Sequence, residues 1–149
     1  MSVNKVFGTN IEVDTVNNDF FRKVISTTKN QQLVLMSLKP KEDIDFEIHN
    51  ENDQFIRVEK GQGVALIGKN RECKYDLIDG SIIVIPAGTW HQIINMSDTD
   101  ELKLYTIYSP PHHPSNRIDK TKPRKDQEGG NYHSKYLKYK SKYLELKKM

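Results

Sequence analysis

The chain has 149 residues, enough for one domain, with 36% hydrophobic and 29% charged residues. No apolar run reaches the length of a membrane helix, no apolar leader precedes residue 10, and Cys73 alone excludes an internal disulfide or thiolate zinc cluster; the expected setting is reducing and cytoplasmic. The net charge of +3 is split, because residues 120–149 hold ten Lys or Arg against three Asp or Glu, which leaves residues 1–119 at −4; a basic groove for nucleic acid could come only from the tail.

In chain order, the stretch 17–28 has room for a helix and reads equally well as a strand. Short apolar runs then follow at Gln32–Leu38, Asp45–His49, Gln54–Glu59, Gly63–Ile67, Cys73–Leu77, Ser81–Ile85, His91–Asn95 and Leu102–Tyr108. Turn residues separate them: Lys39-Pro40, Asn50–Asp53, Gly61-Gln62-Gly63, Gly68–Asn70, Asp79-Gly80 and Pro86–Gly88. Strands this short, at this spacing, predict an all-β sandwich or barrel. The barrel domain is expected over 1–114, ending in the proline-rich run Ser109–Pro114, which cannot sit inside a sheet. Residues 115–131 read as a polar linker. Tyr132, Tyr136, Tyr139, Tyr143 and Leu146 then recur at helical spacing, predicting a basic amphipathic helix over 132–149 that needs a partner surface.

The chemistry gathers around two of these runs. Glu47 and His49, two apart on one strand, project to the same face. Gln54 opens the next strand and lies beside His49 if the two strands form a hairpin. His91 follows the tight turn at Pro86–Gly88. If these four side chains enter one barrel, they make a pocket of one carboxylate, two imidazoles and an amide oxygen. Two His and one carboxylate form the facial set that leaves open positions on a divalent ion. By strand parity Ile56 and Val58 accompany Gln54 inward, and Ile93 and Asn95 accompany His91. The lumen is then largely apolar, and a phosphate would need Arg or Lys at the mouth. Lys39, Lys41, Lys60 and Lys103 are the cations weighed for that role. Trp90 and Tyr105 read as wall or core packing, and Cys73 as a small strand residue.

The run Gly80-x5-Pro86-x-Gly88-x2-His91-x3-Asn95 matches the second motif of the cupin family at every fixed position. Glu47-x-His49-x4-Gln54-x6-Gly61 resembles the first, with Glu47 in place of a His, Gln54 in place of a Glu, and Lys41 where a glycine is usual. The resemblance, which spans roughly residues 20–122, implies a jelly-roll β-barrel with a divalent ion (Zn, Fe, Mn or Ni) held by Glu47, His49 and His91. Gln54 is a fourth ligand or a donor behind the ligands. It also implies a homodimer and a small-molecule substrate. Single-domain members of this size resemble the cupin domain of mannose-6-phosphate isomerases, which implies an isomerase working through a metal-stabilised enediolate. Other members are Fe(II) dioxygenases, and some would bind a small molecule without catalysis. No base is assigned; Tyr105, His112 and His113 are the candidates. The Lys/Tyr pattern over 135–147 resembles C-terminal extensions of giant DNA virus proteins, implying a host-cytoplasm or virion setting.

Overall fold

A computed structural model describes residues 3–124; the helix expected over 132–149 and the end of the linker lie outside the described residues. Among the described residues one short helix, α1 (Ile11–Asn17), precedes ten strands. These are β1 (Arg22–Thr27), β2 (Gln32–Leu38), β3 (Asp43–Glu47), β4 (Asp53–Lys60), β5 (Gly63–Ile67), β6 (Cys73–Leu77), β7 (Ile82–Ile85), β8 (His91–Asn95), β9 (Leu102–Ser109) and β10 (Ile118–Asp119). The second half of the stretch 17–28 is therefore strand, and the helix ends on its first residue, Asn17. Asn10 starts that helix by accepting a hydrogen bond from the Val13 backbone N–H.

The strands form two sheets, in the orders β10-β1-β2-β9-β4-β7 and β3-β8-β5-β6. Among the described residues every pair of strands is antiparallel, and the fold is a jelly roll, the double-stranded β-helix. Alternation along each strand sends one set of side chains between the sheets. Val34, Met36 and Leu38 of β2 meet Ile56 and Val58 of β4, Leu102 and Leu104 of β9, and Ile93 of β8, all at most 1% exposed. Each such aliphatic contributes roughly 1.5–3 kcal/mol of burial. Helix α1 packs on β2, β4 and β9.

Two expectations change. β3 and β4 do not form a hairpin: β3 pairs with β8, whereas β4 pairs with β7 and β9, so the turn at 50–52 carries the chain from one sheet to the other. Gln54 accordingly lies opposite Ile85 and Tyr108 in register rather than beside His49. The first part of the stretch read as linker is laid on the barrel, since Arg22 pairs with Asp119 and Lys23 with Ile118. Lys41, standing where a glycine is usual, takes the left-handed conformation itself, with φ of 64°.

Candidate metal centre

The strand register brings the two motifs together. Glu47, at the end of β3, is the cross-strand partner of His91, at the start of β8, so their side chains share a face. His49 follows two residues later. Its carbonyl accepts from the Gly88 N–H at 2.8 Å, and Asp53 Oδ1 accepts from the Ala87 N–H at 2.9 Å. The Pro86–Gly88 turn before His91 is thus tied to the segment carrying His49. Gly88 meets this geometry with φ of 81°.

One ligand atom each from Glu47, His49 and His91 lies within 4.8 Å of the others. His91 Nδ1 is 2.9 Å from the Thr89 carbonyl, which can only accept, so the proton sits on Nδ1 and Nε2 keeps its lone pair. His91 Nε2 is buried with no hydrogen-bond partner. His49 Nε2, also buried, stands 3.1 Å from Glu47 Oε1. A partnerless imidazole nitrogen beside a second imidazole and a carboxylate is an arrangement that a divalent cation would relieve, and the donor set fits Fe, Mn, Ni or Zn. Burial raises the Glu47 carboxyl, but His49, His91 and Arg22 more than offset it and hold the pKa at about 2. Burial lowers His91, against the pull of Glu47. Both groups are therefore in their ligating protonation states at neutral pH.

Gln54, 2% exposed, reaches the same lumen. Its Nε2 donates to Thr106 Oγ1 at 3.0 Å and Tyr108 Oη at 3.3 Å, which leaves Oε1 buried without a partner. Tyr108 packs edge-on to His49 with ring centroids 5.6 Å apart. Of the three candidate bases, Tyr105 lies off the site, half-buried against Phe55 with ring centroids 6.3 Å apart. His112 stands 4.3 Å from the His49 ring, and His113 packs on both His112 and Tyr108. Burial and His49 push His112 down to about 4; burial, Arg22 and His112 push His113 down to about 2. Gln32 fixes this pair by accepting from both backbone N–H groups and donating to the His113 carbonyl.

Beside Glu47 opens a cavity of about 460 Å³, lined by Arg22, His112, His113, Arg117 and Lys122 together with Phe21, Ile44, Asp45, Pro114 and Pro123. None of Lys39, Lys41, Lys60 and Lys103 lines it. Lys103 is instead buried against the Asn18 carbonyl, Asp19 and Glu101. The cations at the mouth come from β1 and from the segment after β9. The one signal for them in the sequence was their lying within the reach of the motif resemblance. Trp90 packs on Phe46, with ring centroids 4.9 Å apart. Cys73 is exposed on β6.

Compared with known proteins, the pattern of the cupin domain family matches residues 34–108. The chain is 56% identical over 147 residues to protein L612 of Acanthamoeba polyphaga mimivirus, covering 97% of this chain and 92% of that one. It is 46% identical over 121 residues to YrkC of Bacillus subtilis, covering 79% of this chain and 64% of that protein. Among solved structures, BH2720 of Bacillus halodurans is similar with a TM-score of 0.76 at 42% identity, over 78% of this chain and 90% of that one.

Proposed function

The chain belongs to the cupin domain family, and from that premise we propose that it is a metal-dependent enzyme holding one divalent ion through Glu47, His49 and His91. The observation that carries this reading is a carboxylate oxygen and two buried imidazole nitrogens gathered within 4.8 Å, with His91 Nε2 left without a partner. Gln54 Oε1, left over after its amide nitrogen is used, is the candidate fourth ligand. The reaction we assign is aldose–ketose isomerisation of a small sugar phosphate, of the mannose-6-phosphate type. An ion held by Glu47, His49 and His91 would supply Lewis acidity toward the substrate carbonyl. The remaining work falls to the chain's own groups. His112, edge-on to His49 and facing the cavity, is placed to take a proton at Nδ1 or Nε2 from the carbon beside the carbonyl and to return it. Phe21, Ile44, Pro114 and Pro123 exclude water around the substrate's carbon skeleton.

Elemental analysis of protein purified without a histidine tag tests the premise. Roughly one ion per chain is expected, and under about a tenth of that in the His49→Ala, His91→Ala double variant. Anaerobic turnover of mannose 6-phosphate by the loaded protein tests the reaction, with His112→Ala slowing it by about a hundredfold or more. Oxygen consumption with Fe(II) would replace the isomerase by a dioxygenase, and ligand binding without turnover would replace it by a binding protein. An ion retained by the double variant would remove the centre altogether.

A further inference from the structure

The sheet β3-β8-β5-β6 has a second apolar side. Alternation along its strands sends Ala65 of β5 and Ile93 of β8 into the core between the sheets, and turns Val64, Leu66 and Ile94 away from it. In register Val64 lies opposite Ile94 and Leu66 opposite Gln92, and Met96 packs against this cluster. The outward side of a sheet ordinarily meets water. Here Val64 and Leu66 are each 3% exposed and Ile94 1%, and Gln92 and Asp43 on the same side are fully buried.

Among the described residues no helix or strand lies over this side as α1 lies over β2, β4 and β9 of the larger sheet. The stretch after β10 brings the chain to its rim, where Lys122 meets Asp43 at 2.7 Å and Asp45 at 2.8 Å. From β3, β5 is two strands across, about 10 Å at ordinary strand spacing. Residues 125–131 stretch to at most roughly 24 Å, which is ample to bring residue 132 over β5. The sequence that follows matches the face in chemistry. Tyr132, Tyr136, Tyr139, Tyr143 and Leu146 recur at the spacing of one helical stripe, and a helix of that length needs a surface to be stable in water. Tyrosine suits a shallow face, since its ring can bury while its hydroxyl reaches the wet rim. The six Lys and one Glu of 132–149 are also drawn to a body that carries −4 over residues 1–119.

We propose that residues 132–149 dock as a helix on the outer side of β3-β8-β5-β6 of their own chain, with the tyrosine stripe over Val64, Leu66 and Ile94. Neither the metal centre nor the isomerase reading enters this assignment. Docking there also anchors the stretch that carries Lys122 and Pro123 along the cavity beside Glu47.

NMR of the full wild-type chain, labelled at Val, Leu and Ile methyls and at tyrosine rings, reads the contact directly. Nuclear Overhauser effects are expected from the methyls of Val64, Leu66 and Ile94 to the rings of Tyr136, Tyr139 or Tyr143. A mixture of methyl-labelled and ring-labelled copies separates a chain's own tail from a neighbour's, and effects seen only between copies would overturn the proposal in favour of exchanged tails. The Tyr136→Ser, Tyr139→Ser, Tyr143→Ser triple variant should shift the resonances of those three methyl-bearing residues and leave Val34, in the core between the sheets, in place. It should also bind the apolar dye ANS several-fold more strongly, as an uncovered apolar face would. The wild-type measurement needs no variant to fold. If it shows no effect between the tail tyrosines and this face, or if the folded triple variant leaves all three residues unshifted, the docking is refuted.

Discussion

Asn95, 0% exposed, ties three parts of the chain together. Its Nδ2 donates to the carbonyls of Leu38, Lys39 and Asp100, and its Oδ1 accepts from the Ser97 N–H. Asn95→Leu keeps the volume and strands those groups, so a loss of about 3 kcal/mol is expected in urea unfolding. Tyr108→Phe removes one acceptor of the Gln54 amide, and about 1 kcal/mol is expected by the same measurement. Glu47, His49 and His91 were legible because each motif places its residues through local spacing. Arg22 and Arg117 were not. Arg22 meets Asp119 across 97 positions of sequence, and no local pattern announces a contact of that separation. Tyr108 was read as the end of an apolar run, and nothing in such a run distinguishes a residue that also orients a ligand candidate.

Among the elements, β3 and β4 show where periodicity stops being informative. Alternation tells which side chains share a face, and Gln54, Ile56 and Val58 of β4 are all buried as parity requires. It does not tell which sheet a strand joins, so a crossover looks the same as a hairpin. Four strand boundaries (Gln32–Leu38, Gly63–Ile67, Cys73–Leu77 and His91–Asn95) coincide with their apolar runs, because turn residues flank them closely. Helix α1 went unread because seven residues give too few turns for a helical period to emerge. The β4–β5 turn yields the prediction at this scale. Gly61 has φ of 100°, and a Cβ there would stand 2.6 Å from the Glu101 carbonyl oxygen. Gly61→Ala should lower stability by at least about 2 kcal/mol, seen as a fall of several degrees in Tm.

For the whole molecule, the buried imidazoles make stability depend on pH. Burial, Arg22, His112 and Arg117 lower His113 to about 2, against Glu47, and burial lowers His91. Their folded pKa values lie below the ordinary 6.5, so the unfolded chain takes up protons first as pH falls. Stability of the metal-free protein is then complete above pH 6.5 and declines below it, by up to about 1.4 kcal/mol per pH unit for each group. Glu47 adds to the decline in the same direction below pH 4.5, because its folded value is about 2. Urea unfolding from pH 7.5 to 5 should show this slope, and His113→Asn should make it shallower by about one proton. The pairing of β10 with β1 carries a further consequence. All three residues of the Glu47, His49 and His91 cluster have been synthesised once residue 91 exists, whereas the wall bearing Arg117 and Lys122 is contributed by the last stretch before residue 124. A shortened chain ending at Pro114 would thus carry the cluster residues and lack the side of the cavity that Arg117 and Lys122 line.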